Sequence, residues 1–280
     1  VAPRPIEHAP NHPRVGRCRV LAHDCAPALL SASTDPAPLV HKKIISPNAA
    51  AIPPELKHPQ GRWTGFGCRA RVLIYNTQKV KRDEVPKTLE ELSLPRWKGK
   101  VGIAKPLFGT TRSHLVALVI ALGDEKAFKL FRAWRENGMI IAESNGDVRN
   151  RVADGTFEIG LTDTDDVLSA MERNKPVNFT IPDQTSELRG AFLIPNTVGI
   201  LAKCKHPAQA RAFVDFLLRP ETEAWLAENG ARQIPVRDVG AKIPDWMRDI
   251  KPLKVDAVTL AAQVLPIGEK IYRVLLGEEK

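Results

Sequence analysis

Phe157-Glu158-Ile159-Gly160-Leu161 runs without a break into Thr162-Asp163-Thr164-Asp165-Asp166, and a helical stretch from Val167 to Arg173 follows at once. The first five residues read as a strand and the acidic segment as the turn that leaves it. A strand that feeds a helix through a polar turn is the repeating unit of an α/β layer. In open α/β sheets, ligands bind at the carboxyl ends of such strands.

The same alternation extends outward in both directions. Val72-Leu73-Ile74-Tyr75, ended by Asn76, and Val101-Gly102-Ile103-Ala104, ended by Pro106, read as buried strands. A helical stretch from Thr111 to Asn137 follows, with a break expected at Gly123-Asp124. Its Leu115, Leu118, Val119, Leu122, Phe128, Phe131 and Trp134 recur at spacings of three and four and fall on one face. A short helix after Asn145-Gly146 should end at Asp154-Gly155. Beyond the acidic turn, strands are expected over Val177–Ile181 and Ala191–Ala202. Helices are expected over Pro207–Leu218, Glu221–Glu228 and Asp256–Leu276. Strands separated by helices predict α/β layers with a mostly parallel sheet.

Composition narrows the function classes. The 280 residues are 43% hydrophobic and 26% charged, as in globular proteins, and suit two lobes of ordinary size. No stretch approaches about 20 uninterrupted apolar residues, the length a membrane-spanning helix needs. The opening VAPRPIEHAP has no apolar signal core; a signal peptide was either removed or never part of this chain. The net charge of +9 is spread over short basic groups with carboxylates nearby and no zinc-finger or RNA-stacking motif, so a basic surface is expected and nucleic acid is not. Cys18, Cys25, Cys68 and Cys204 form no C-x-x-C pair, which predicts buried free thiols. No G-x-S-x-G, Walker A or H-E-x-x-H is present. His114 falls inside a predicted helix and is not expected to be a ligand.

Several segments taken in order resemble one family. Trp63-Thr64-Gly65-Phe66-Gly67-Cys68-Arg69-Ala70-Arg71-Val72-Leu73-Ile74-Tyr75-Asn76-Thr77 resembles the first hinge-crossing strand of the ferric-ion-type periplasmic binding proteins. Pro86 to Leu92 and Pro95 to Val101 resemble the entry to their second lobe, and Gly109-Thr110-Thr111 their anion-binding turn. Val152 to Gly155 and His206 to Leu218 complete the series, which covers the chain from about Ser46 to the end. The resemblance implies an α/β, two-lobed, type II periplasmic-binding-protein fold that closes on ligand by hinge motion. It implies a non-enzymatic monomer in the periplasm that passes its ligand to a membrane permease of an ABC importer. The alternatives are a sensory module or an enzyme on the same fold. Lobe one is expected over 44–75 and 196–245, and lobe two over 77–192 and 255–280.

Candidate site residues follow from both readings. Gly109, Thr110 and Thr111 stand between a strand and a helix start, where free N–H groups favour an anion; the same threonines suit an N-cap. Asn145 and Gly146 have the same form. Thr162, Asp163, Thr164, Asp165 and Asp166 group carboxylates and hydroxyls at a strand end. Asp163, Asp165 and Asp166 are the candidate ligands for iron(III), a divalent metal or a small cationic solute, or else a cap with solvated neighbours. Many ferric-ion members carry adjacent tyrosines here, whereas this chain has only Tyr75 and Tyr272, both elsewhere. Arg69 and Arg71 share a strand face and suit either a synergistic anion beside the metal or an interlobe ion pair.

Residues 1–43 break the pattern. Prolines at 3, 5, 10, 13, 27, 36 and 38 interrupt most helices and central strands, and Val20-Leu21 offers too short an apolar pair for a core strand. The expectation is a poorly ordered, truncated or frame-shifted stretch, with a divergent leader as the alternative. Lobe one is then incomplete, with apolar sheet exposed.

Overall fold

The computed structural model describes the backbone of residues 20–23 and then of residues 43–278, apart from 45, 186, 188, 230 and 231. Its frame is one long strand. Strand β2 (Trp63–Asn76) is buried along its whole length and belongs to two sheets. Its first half pairs antiparallel with β7 (Leu193–Ile200), from Trp63↔Gly199 to Ala70↔Leu193. From Arg71 onward it pairs with β5 (Ile159–Asp163) on one side and β6 (Val177–Thr180) on the other. Strands β3 (Val101–Ala104) and β4 (Ile140–Ala142) extend the second sheet, both in parallel register.

The helices alternate with these strands as the apolar spacing requires. They are α1 (Gly109–Leu122), α2 (Asp124–Glu136), α3 (Asn145–Ala153) and α4 (Thr164–Glu172), then α5 (Pro207–Leu217), α6 (Pro220–Glu228) and α7 (Ala257–Leu276). Gly123, at φ 79°, ends α1 and starts α2, so the expected break falls where glycine can take a left-handed conformation. Helix α7 packs on α1 and α2 and seals one face of the second sheet with Leu260, Val264 and Ile271. The other face carries Val148, Val152, Phe157 and Val167. The first sheet is covered by a smaller cluster, Ile52, Phe66, Val198, Ile200, Ala210, Val214 and Leu218.

Four features depart from the sequence reading. The sheet is mixed: β3 pairs in parallel with β4 and β5, but every pairing of β2 and β7 is antiparallel. The crossing strand β2 causes this, because it runs opposite to β5, β6 and β7 alike and makes every ladder it joins antiparallel. Strand β2 starts at Trp63, as the resemblance implied, nine residues before the Val72 where periodicity alone placed it, since a bulge between Gly65 and Cys68, with Gly67 at φ 64°, hides the alternation. Val20–His23 forms strand β1, antiparallel to β7 from Val20↔Ile200 to His23↔Thr197. The rest of the expected poorly ordered segment 1–43 lies, but for Lys43, outside the described residues. Finally, Cys68 is a buried free thiol but Cys204 is disulfide-bonded, with a partner outside the described residues. The β1–β7 pairing sets Val20 opposite Ile200, four residues before Cys204, a proximity no spacing rule reveals.

Candidate functional site

Strands β4, β3 and β5 lie side by side and parallel, so the helices that follow them begin along one edge. Three helix N-termini meet there. Gly109 opens α1 at φ 66°, and nothing lies within 4 Å of a Cβ placed on it; its conformation, not its space, calls for glycine. Thr110 and Thr111 follow, both buried. Asn145 and Gly146 form the first turn of α3, capped by Ser144, whose Oγ accepts from the Asp147 N–H at 3.1 Å. Asp163 ends β5 at the N-cap position of α4.

Arg71 is the hub of this edge. Its side chain is 0% exposed. Its backbone N–H donates to Phe192 O at 2.9 Å, joining the two strand segments that pass between the sheets. Its Nη1 donates to Asp163 Oδ1 at 2.7 Å, to Thr110 Oγ1 at 3.2 Å and to Asn145 Oδ1 at 3.2 Å. Its Nη2 donates to Thr111 Oγ1 at 3.3 Å and to Leu161 O at 3.2 Å. The Asn145 Nδ2 donates to Thr110 Oγ1 at 2.8 Å and to Asp163 Oδ2 at 3.3 Å. The guanidinium and the carboxylate stand directly opposite on paired strands, so the ladder itself sets their separation.

The other two carboxylates turn toward different arginines. Asp165 Oδ2 lies 3.5 Å from Arg69 Nη1, and its Oδ1 is buried without a hydrogen-bond partner. Asp166 Oδ1 lies 3.5 Å from Arg149 Nη1, and its Oδ2 accepts from Thr162 Oγ1 at 2.9 Å. Thr164 Oγ1 accepts from the Ala70 N–H at 3.2 Å and pins the turn to β2. Oxygens of Asp163, Asp165 and Asp166 all lie within 4.8 Å of one another, the one such acidic group among the described residues. Burial pushes Asp165 up to about 6 against the pull of Arg69, with Asp163 and Asp166 adding to the rise. Burial, then Asp163, raises Asp166 as well. A cation placed among these oxygens would relieve that repulsion.

The structure thus gathers Arg69, Arg71, Thr110, Thr111, Asn145 and Asp163 to Asp166 around one strand end, with Gly109 and Gly146 as backbone at its rim. His114 stands apart: buried in α1, it stacks on Phe192 with ring centroids 5.6 Å apart. Burial, then Arg71 and Arg189, hold it well below the usual histidine range. Arg149 was missed by sequence reasoning. Its signal was its place four residues after Asn145, one turn along the same helix face. A cavity of about 720 Å³ opens between the two halves, lined by Leu56, Cys68, Phe192, Ile194, Ile234, Leu253 and Leu260 among others; the three aspartates do not line it.

Comparison with known proteins places this architecture. A family model described as bacterial extracellular solute-binding protein matches residues 37–254. Iron uptake protein A1 of Synechocystis is 29% identical over 197 residues, 68% of this chain and 54% of that protein. The Fe(3+)-binding periplasmic protein of Serratia marcescens is 27% identical over 218 residues, 75% of this chain and 63% of that protein. The matched stretch therefore spans between half and two thirds of each relative. Iron-bound HitA from Pseudomonas aeruginosa superposes with a TM-score of 0.76 at 23% identity, covering 90% of this chain and 82% of that one. AfuA from Actinobacillus pleuropneumoniae, solved with exogenous fructose-6-phosphate, gives 0.74 at 19% identity, covering 92% and 82%. With the family model spanning most of the chain and the two-lobed architecture shared with these structures, the chain belongs to the bacterial extracellular solute-binding proteins.

Proposed function

We propose that the chain is the ligand-capturing component of an ABC importer, working outside the cytoplasm, and that it takes a metal cation, with iron(III) first among candidates. The observation that carries this reading is the group of three aspartates within 4.8 Å at the end of β5. Carboxylate oxygens suit hard cations, and Asp165 and Asp166 are both raised by burial and then by the charge of Asp163. The names of the Synechocystis and Serratia relatives, iron uptake and Fe(3+)-binding, point the same way. The disulfide at Cys204 suits an oxidising compartment such as the periplasm. Neither Tyr75, buried on β2, nor Tyr272, on α7, belongs to the acidic group, so iron would be held here by carboxylates in place of phenolates.

The test is calorimetric titration of chelator-stripped protein with ferric nitrilotriacetate, followed by Asp165→Ala, Asp166→Ala and the double variant. Saturable binding that weakens at least about tenfold in the double variant supports the reading, since an unpaired cation is costly to bury. Equal affinity in all four proteins removes the aspartates from the ligand set. Small-angle scattering should report compaction with bound metal. Binding of an organic amine but of no metal would convert the site to one for a cationic solute.

A further inference from the structure

We propose that Asp163 is a built-in occupant of an oxyanion cradle, so that this chain takes its ligand without a co-bound free anion. The cradle consists of the buried Arg71 guanidinium, the Asn145 side-chain amide and the first turns of α1 and α3. A guanidinium beside helix N-termini is a receptor for carboxylate or phosphate, through charge-assisted donors and partial positive charge. The anion found in it comes from the chain itself. Asp163 Oδ1 accepts from Arg71 at 2.7 Å, and Oδ2 accepts from Asn145 at 3.3 Å. Because Asp163 and Arg71 are register partners on β5 and β2, the carboxylate is held there by the strand ladder, at an effective concentration no free anion matches.

Two further observations fit this assignment. Arg71 Nε is fully buried and has no partner, so the guanidinium could satisfy a larger anion than the one carboxylate it holds. Both Asp163 oxygens are engaged, whereas Asp165 Oδ1 has no partner. Asp163 is then a specificity residue that excludes phosphate and carbonate, and the cation falls to Asp165 and Asp166. The consequence for metal capture rests on the function proposed above; the filled cradle does not.

The experiment is titration of wild type, Asp163→Asn and Asp163→Ala with inorganic phosphate by calorimetry, and with formate by thermal melting. Wild type should give no saturable phosphate heat. Asp163→Asn, which keeps the shape and removes the charge, should gain at least about tenfold in phosphate affinity, the scale of one charge-assisted contact. Formate, which restores the missing carboxylate, should raise the melting temperature of Asp163→Ala and leave wild type unmoved. Variants that fold only with phosphate or formate present support the proposal equally. Saturable phosphate binding by wild type overturns it, as do variants that gain nothing or that neither anion restores to the folded state. Phosphate gained by the variants in a protein that binds no iron would sink the metal reading and leave the cradle standing.

Discussion

The two halves of this molecule solve the same packing problem unequally. The half built on β3, β4, β5 and β6 is covered on both faces, by α1, α2 and α7 on one side and by α3 and α4 on the other. Trp134, Phe131 and Phe157 are among its fully buried side chains. The half built on β1, β7 and the start of β2 has a smaller core and leaves Phe213, Phe216 and Trp225 exposed on α5 and α6. It also buries Trp63 Nε1, Thr64 Oγ1 and Thr197 Oγ1 without partners. Buried polar atoms without hydrogen-bond partners occur in both halves, Arg71 Nε and Asp165 Oδ1 among them in the other, so the halves differ in apolar cover and not in polar satisfaction. The ligand chemistry, Arg71 with its helix N-termini and aspartates, sits on the better-packed half, where rigid elements hold it.

The sharpest way to break this comparison is to hollow the better half. Trp134 is 0% exposed, tilts against Phe131 and donates its Nε1 to Leu89 O at 3.0 Å. Trp134→Ala should cost about 3–5 kcal/mol in denaturant unfolding, from cavity and lost transfer energy together. A cost as small as that of a surface substitution would show that this half is not the more stable one. The next test addresses the weaker half. A small core gains most from a covalent staple, so reducing the Cys204 disulfide should lower stability by about 2–4 kcal/mol, read as a fall in the first unfolding transition under reductant. An unchanged melt would mean that the bond adds nothing to the first half.

The smallest expected effect is one of pH. Asp165 is raised from 3.8 to about 6, so folding favours its protonated form. Its contribution to stability is fully present below about 3.8 and is lost as pH rises through about 6. Asp183, raised to about 6 chiefly by burial, titrates in the same window beside Arg189. Asp165→Asn should therefore flatten part of the fall in melting temperature between those values and leave the Asp183 part. A variant whose pH profile overlays that of wild type would show that Asp165 is ionised at no cost. The Asp165 side chain is 31% exposed, so solvent screening keeps this effect below the other two.

Much of the second half was legible in the sequence. The apolar spacing of α1 and α2, the break at Gly123 and the strand running into Thr162–Asp166 all carry their signal within a few residues. The acidic turn is likewise legible, because its carboxylates and hydroxyls are contiguous in the chain from Thr162 to Asp166. Periodicity found only the end of strand β2, and its full length came from the resemblance, because a strand that crosses between sheets is buried on both faces and carries a bulge, which erases alternation. Strand β1 escaped because four residues between proline-rich stretches carry too little pattern of their own and form a strand only by adding to the edge of β7.

By itself, then, the sequence determined the kinds of elements, their order and the chemistry gathered at one strand end, since helical and strand periodicity and turn residues act over short range. Tertiary structure alone decided the pairings. Arg71 meets Asp163 across 92 residues of chain and Thr110 across 39, while Asp165 and Asp166 turn to Arg69 and Arg149. Three carboxylates within a four-residue stretch look alike in sequence. Which one faces a buried guanidinium, and which keeps an oxygen free for a ligand, depends on sheet register and on where two helices begin, and neither is a local property of the chain.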